Sequence, residues 1–289
     1  MDLRFDEQHL YRFDEAVHIT PNSELFRALD INMGRTVALK RVNITGTDAK
    51  MREANYKRAL QEVKTMVQIS EMTARIPNIY CDFYDQDKGQ LYIVMQWING
   101  ETLSEKMKSQ VPLPVFLKWM QELCDILETM SKRNFRHKDI KPDNIMFNQS
   151  DDLYLIDFNI SVSVPNQMEG TPLYKAPEMD FGSITADREK SDMFSIGVML
   201  YQFVTGTIPQ RTVHYDIYDA AGENWDFFRQ PIELKEINSE LNRIIVRLME
   251  YSPHKRFRSY SELKNELKRA ERAIRNEGKQ SGQRNGKNV

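Results

Sequence analysis

The sequence predicts an α+β chain, its strands gathered in the first hundred residues and its helices mostly after residue 110. Three observations carry this prediction. Residues 11–44 alternate apolar and polar side chains in short runs, the period of strands with one buried face. Leu91-Tyr92-Ile93-Val94-Met95-Gln96-Trp97-Ile98-Asn99-Gly100 is a continuous apolar run stopped by a turn signal, as a buried strand is. From Leu113 onward, long stretches repeat their apolar residues at helical spacing instead.

The 289 residues suffice for one large domain or two modest ones with a buried core. Hydrophobic content of 40% and charged content of 28% are those of a globular protein. A net charge of −2 supplies no general attraction to nucleic acid or membrane surfaces. No apolar run reaches the roughly eighteen residues a membrane span needs. The opening Asp2-Leu3-Arg4-Phe5-Asp6-Glu7 is acidic and polar, unlike an export signal, so the expected compartment is the cytoplasm. Cys81 and Cys124 form no Cys-x-x-Cys and have no adjacent His, which favours free thiols in a reducing compartment over a disulfide or a metal.

In chain order, Leu25–Leu29 and Thr36–Val42 read as a hairpin turning at Asn32-Met33-Gly34. Residues 50–72 read as a helix, charge-rich and free of Gly and Pro, with Leu60, Val63, Met66 and Val67 on one side. Asn78–Cys81 is the next strand. Leu113–Ser131 is an amphipathic helix carrying Phe116, Leu117, Met120, Leu123 and Leu127. Ile145–Phe147 and Leu153–Ile156 are short strands joined by the polar turn Asn148–Asp152. Ser191–Leu200 is almost wholly apolar, hence a central helix. Leu241–Tyr251 and Ser259–Ile274 complete a helical region, the last helix capped by Ser259 or Ser261. Residues 275–289 lose all periodicity and are expected to form a flexible, mildly basic tail. Its few cations would give only a weak, salt-sensitive attraction to nucleic acid or acidic lipid.

The chemistry concentrates in His137-Lys138-Asp139-Ile140-Lys141-Pro142-Asp143-Asn144, followed by Asp157-Phe158-Asn159. Phosphoryl transfer from ATP needs a carboxylate to meet the acceptor hydroxyl, a cation for the γ-phosphate and hard oxygen ligands for Mg²⁺. Asp139 suits the first role, Lys141 the second, and Asn144 with Asp157 the third. The hairpin between them would carry Asn144 and Asp157 to the same end. A lone Asp-x-Lys turn is usually a solvated loop, whereas this many ordered positions are specific. The stretch resembles the catalytic loop and metal-binding motif of the eukaryotic-type protein kinases.

That resemblance covers residues 11 to about 270. It implies a bilobal fold, a small mostly β lobe (1–98) hinged to a larger helical lobe (99–274) with ATP between them. Val37-Ala38-Leu39-Lys40 resembles the family's Val-Ala-x-Lys strand, which implies that Lys40 contacts the α- and β-phosphates and pairs with a helix glutamate. Glu62, beside the apolar stripe, is preferred to Glu53 for that partner. By the same resemblance Met95 is the gatekeeper, the main chain of Gln96 and Ile98 meets adenine, and Leu25, Ala38 and Met146 also bind the cofactor. His137 is implied to support the loop and Phe158, and Asp192 to bond the loop backbone. Gly170–Glu178 resembles the segment ending in Ala-Pro-Glu, with Thr171 steadying Asp139 and Lys141, and Glu178 pairing with Arg256.

Three positions depart from the family. The loop expected to cover the phosphates, His18–Glu24, has no glycine; Pro21 removes a backbone donor and Glu24 adds negative charge. The hydroxyls of Thr20 and Ser23 are the available substitutes. Lys138 stands where arginine is usual, which disfavours bidentate capture of an activation-loop phosphate. Asn159 replaces a glycine. The expected function is a serine/threonine protein kinase using ATP and Mg²⁺ on a protein Ser/Thr acceptor, with Lys141 placing it in the Ser/Thr branch. The alternative is a pseudokinase, a nucleotide-binding or scaffolding protein. A small-molecule kinase of related fold is third, because the Thr171–Glu178 segment and Arg256 resemble a protein-substrate platform. No heptad seam argues for a dimer.

Overall fold

The computed structural model describes residues 2–158, 173–180, 190–210, 228 and 232–285. Asn159 and Thr171 lie outside the described residues. The chain forms two compact units: the first holds the chain up to Gly100 together with Phe147–Ile156, and the second begins at Glu101 and includes Asp157 and Phe158.

The first unit contains β1 (Asp2–Arg4), β2 (Leu10–Ile19), β3 (Ser23–Asp30), β4 (Arg35–Asn43), α1 (Ala49–Ser70), β5 (Ile79–Asp85) and β6 (Gln90–Gln96). The strands form one sheet in the order β1-β2-β3-β4-β6-β5. The β3–β4 hairpin pairs Asp30 with Arg35 and turns at Gly34, whose φ of 64° suits a residue without Cβ. One face of the sheet buries Tyr11, Phe13, Phe26, Val37, Leu39, Tyr92 and Val94 in a single apolar cluster.

Residues 2–9 carried no strand signal, yet β1 pairs antiparallel with β2. Its continuation brings Phe5 flat against Phe83, ring centroids 4.0 Å apart, and edge-on to Tyr92. Because Phe83 lies on β5, at the other end of the strand order, the sheet curls until its two ends meet. Tyr11 and Cys81 close the same seam, Oη to Sγ 3.4 Å.

Helix α1 starts at Asp48, whose side chain accepts the N–H of Met51 at 2.8 Å. It buries Asn55, Ala59, Val63, Met66 and Ile69. Leu60 and Val67, expected on the buried stripe, are only half-buried, so the inward face lies one position round the helix. Asn55 is held inside by donating to the carbonyl of Thr45 at 2.7 Å.

The second unit follows with β7 (Gly100–Thr102), α2 (Leu103–Lys106), α3 (Leu113–Ser131), β8 (Ile145–Asn148), β9 (Leu153–Leu155), α4 (Pro177–Asp180), α5 (Ser191–Thr205), α6 (Ser239–Leu248) and α7 (Tyr260–Asn285), of which Gly100 and the hairpin from Phe147 to Ile156 cluster with the first. Helix α3 occupies the bounds its periodicity predicts and buries Phe116, Leu117, Met120, Leu123 and Leu127. It packs along α7, where Gln121 donates to Glu271 at 2.8 Å. Every residue of α5 from Ser191 to Tyr201 is buried, as its apolar composition requires. Gly197 lets α5 approach α6 closely, since a Cβ there would lie 2.7 Å from Leu248 Cβ.

Ser259 caps α7 by accepting the N–H of Glu262 at 3.1 Å. This helix runs on through Asn285, past the bound of Ile274 that its periodicity gave. Once a packed segment has nucleated a helix, Lys, Gln, Arg and Glu propagate it without an apolar stripe. Both cysteines are free, Cys124 buried and Cys81 half-buried. Among the described residues, no helix is long and apolar enough to cross a membrane.

Candidate active site

The catalytic-loop motif is fixed from beneath by α5. Asp192, buried at the start of that helix, accepts the backbone N–H of His137 through Oδ2 and that of Lys138 through Oδ1, both at 3.0 Å. These two bonds hold a backbone that bends sharply, with Lys138 at φ 68°. Burial raises the Asp192 pKa, against the lowering influence of His137 and of the two N–H bonds. The expected anchoring role of Asp192 is therefore present in the geometry.

The bend presents Asp139 on the following turn. Lys141 Nζ lies 2.8 Å from Asp139 Oδ2. The buried Asn144 directs its amide N–H groups to the Asp139 carbonyl at 2.7 Å and to Asp139 Oδ2 at 3.0 Å. Asp139, Lys141 and Asn144 thus form one cluster, the carboxylate oriented by a cation and a neutral donor. The short helical turn Pro142–Asn144, with proline at its first position, sets this spacing.

Asn144 enters β8 and Asp157 follows β9, so the hairpin returns both to the same end. Asp157 takes a left-handed φ of 56°. Phe158, 3% exposed, packs against the His137 ring at 4.9 Å and Phe135 at 6.0 Å. His137 is thus a core contact for Phe158.

The donor set fits a hard divalent cation. Asn144 spends both amide hydrogens on Asp139, which leaves Oδ1 as its acceptor atom. Asp157 adds a carboxylate. Two protein oxygens, completed by water and phosphate oxygens, suit Mg²⁺, which gives up few of its waters.

In the first unit, register places other expected residues together. Leu25 pairs with Lys40, Lys40 with Ile93, and Ala38 with Met95. By strand alternation these five share the face opposite the aromatic cluster. Lys40 is 8% exposed, and so held out of water. On α1, Glu62 is half-buried one position before Val63, whereas Glu53 is exposed and paired with Lys57 at 2.6 Å. Gln96 ends β6, its N–H given to the carbonyl of Asn78 at 2.8 Å, and Ile98 is buried. Met146, which belongs to the second unit, lies half-buried in β8.

The β2–β3 turn contradicts one expectation. Thr20 and Ser23 are spent on each other: Thr20 N–H donates to Ser23 O at 2.8 Å, Ser23 N–H to Thr20 Oγ1 at 3.0 Å, and the two hydroxyls lie 2.9 Å apart. Their hydroxyls are therefore no substitute for glycine-loop donors. Pro21 has no N–H, and the carbonyl of Asn22 takes the N–H of Asn43 at 2.9 Å. The negative charge expected from Glu24 is offset by Arg41, which reaches it through Nε at 2.7 Å and through Nη2. That pair was not legible beforehand, since it depends on the β3–β4 register placing Glu24 opposite Arg41.

Farther along the chain, Glu178 in α4 meets Arg256 as the motif reading expects, at 2.6 Å and 2.9 Å. Tyr174 beside it donates its hydroxyl to Gln202 at 2.7 Å, and its carbonyl accepts from Ser195 at 2.9 Å.

Residues 21–267 match the family described as the protein kinase domain. The chain is similar to a probable serine/threonine-protein kinase of Clostridium acetobutylicum, 28% identical over 271 residues, which cover 89% of this chain and 39% of that protein. It is 26% identical over 287 residues to the serine/threonine-protein kinase PknD of Chlamydia caviae, covering 84% of this chain and 29% of PknD. A CBL-interacting serine/threonine-protein kinase of Arabidopsis thaliana is 24% identical over 196 residues, 65% of this chain and 43% of the relative. The chain therefore spans less than half the length of each of these relatives.

Proposed function

Because the chain belongs to the protein kinase family, we propose that it is a working serine/threonine kinase that transfers the γ-phosphate of ATP to a protein hydroxyl. The observation that carries this reading is the Asp139–Lys141–Asn144 cluster held on the Asp192 anchor. A carboxylate fixed in this way can orient an acceptor hydroxyl and take its proton as the phosphoryl group moves. Lys141 then stands beside the same reacting atoms to offset phosphate charge. Asn144 and Asp157 would hold Mg²⁺, which when bound neutralises charge on the ATP phosphates. Lys40 would bind the α- and β-phosphates, with Glu62 as its counter-charge. Adenine would meet Leu25, Ala38, Met95, Met146 and the main chain of Gln96 and Ile98. Phosphate transfer to a basic protein, set against transfer to small alcohols or aminoglycosides, tests the substrate class. Label on the protein alone supports the proposal, and label on the small acceptors overturns it.

One observation favours a second reading, a pseudokinase that binds partners without turnover. The β2–β3 turn uses its own hydrogen-bonding groups and offers little to a triphosphate. It removes no catalytic carboxylate, so the kinase reading remains the stronger.

A further inference from the structure

A cleft of about 210 Å³ lies within the first unit, between the end of β6 and the turn of the β8–β9 hairpin. Gln96, Trp97 and Asn99 form one wall, and Gln149, Ser150 and Tyr154 the other. Just past Asn99, Gly100 comes so close to Phe147 that a Cβ would sit 1.8 Å from its carbonyl oxygen. That approach ties the first wall to the strand leading into the second. The turn itself is braced. Asn148 Oδ1 takes the N–H of Ser150 at 2.9 Å and that of Asp152 at 2.8 Å, and Asn148 Nδ2 donates to Asp152 Oδ2 at 3.1 Å. Arg75 Nη1 grips the other oxygen of Asp152 at 2.7 Å. Asn148 and Asp152 are thus occupied, while Gln149 and Ser150 face the cleft.

By strand alternation the Gln96 side chain leaves β6 on the face opposite Met95, away from Ala38 and Lys40. Its Oε1 accepts from the N–H of Asn78 at 3.3 Å and from Asn78 Nδ2 at 3.4 Å, which fixes the amide and turns Nε2 elsewhere. The Arg27 guanidinium rests over the Trp97 ring, 5.8 Å from its centroid. The hydrogen-bonding inventory of the cleft is lopsided. Among the described residues, no partner is taken by Gln96 Nε2, the Trp97 indole N–H, the hydroxyls of Ser150 and Tyr154, or the side-chain amides of Asn99 and Gln149. Gln96 Nε2 and the indole can only donate, the remaining groups can all donate, and no wall residue carries a charge. Such walls suit a ligand that offers carbonyl acceptors and apolar rings and has no charge of its own.

The geometry points to a docking site for an uncharged, proline-rich segment of a partner protein, bound as a polyproline II helix. Proline supplies rings for Trp97 and Tyr154 and has no N–H to leave unpaired. The carbonyls of a polyproline II helix make no internal bonds and are open to the donors of Gln96, Trp97 and Tyr154. The helix is already ordered, so little entropy is lost on docking. The cleft is smaller than the roughly 300–1,000 Å³ that encloses a small-molecule ligand, and so admits a residue or two of a longer chain. A neutral sugar would stack on the same rings, but its hydroxyls donate as readily as they accept and match the donor-rich walls less well. None of the residues proposed for phosphoryl transfer lends a side chain to the cleft, so the inference stands apart from the kinase reading.

Calorimetric titration of the full chain tests this, with end-blocked octaproline, an end-blocked Gly-Ser repeat of the same length, and maltotriose as probes. Octaproline should bind about tenfold more tightly than the Gly-Ser peptide. Trp97→Phe and Tyr154→Phe each keep a ring and delete one donor, and each should weaken octaproline by about threefold to tenfold. Trp97→Ala removes ring and donor together and should weaken it by more than about tenfold. Thermal melts check that each variant is folded, and the two Phe variants decide the matter if Trp97→Ala is not. Equal affinity for the two peptides, or no octaproline binding, overturns the proposal. Octaproline binding that neither Phe variant weakens places the peptide elsewhere and overturns it too. Maltotriose binding that the Phe variants weaken, without octaproline binding, overturns it in favour of a sugar site.

Discussion

Arg256 closes on Glu178 through two N–H···O bonds of 2.6 Å and 2.9 Å, with side chains 0% and 6% exposed. The guanidinium spends its other hydrogens on the carbonyls of Glu250, Lys190 and Tyr251. One cation thereby ties α4 to the start of α5 and to the loop after α6. Removing either partner strands the other charge in the interior. Arg256→Ala or Glu178→Ala is expected to cost about 3–5 kcal/mol in urea unfolding, and the double substitution less than the sum.

The Asp192 anchor makes a pH prediction. Burial places its folded pKa above the unfolded value, so the unfolded chain ionises first as pH rises. Within that window the folded state binds more protons, and stability falls as pH increases. Asp192→Asn removes this slope. It also turns a donor toward one of the two N–H groups, at a cost of about 1–3 kcal/mol. Urea melts of both proteins across the acidic range should converge as pH rises.

Gly100 tests the start of β7. A Cβ there would lie 1.8 Å from the carbonyl oxygen of Phe147, a backbone atom that cannot swing aside. Gly100→Ala is expected to destabilise the protein by about 1–3 kcal/mol. A thermal melt that matches wild type would contradict the close approach.

The β2–β3 turn predicts nucleotide preference. With the N–H groups of Thr20 and Ser23 bonded within the turn, the γ-phosphate gains little from it. ATP and ADP should bind within about tenfold of each other in calorimetry. Replacing Thr20, Pro21 and Ser23 together by glycine leaves the main-chain bond between positions 20 and 23, but frees the N–H of position 23 and adds one at position 21, and should raise ATP affinity by about tenfold.

The parts of this molecule that sequence made legible are those in which local pattern and burial agree. Helix α3 and the β3–β4 hairpin follow from periodicity and turn residues, and Asp139, Lys141 and Asn144 follow from a motif short enough to fold upon itself. Strand β1 was hidden because Leu3 and Phe5 acquire partners only when the sheet curls to bring Phe83 within reach. Thr20 and Ser23 misled for a different reason. In sequence their hydroxyls read as donors for a ligand, but a hydroxyl three residues from a backbone carbonyl in a tight turn bonds locally first. The Arg75–Asp152 pair gave no signal, since Arg75 meets a turn far along the chain.

Asp139 is proposed to serve a phosphoryl transfer. The most direct measurement follows γ-phosphate from labelled ATP·Mg²⁺ into a generic basic protein and into the chain itself, with Asp139→Asn alongside. Label on serine or threonine is expected in the wild type and its loss in Asp139→Asn, with the melting temperature shift on adding ATP·Mg²⁺ retained in both. Absence of label in the wild type, under conditions where ATP·Mg²⁺ still raises its melting temperature, would contradict the account and leave a nucleotide-binding protein without turnover.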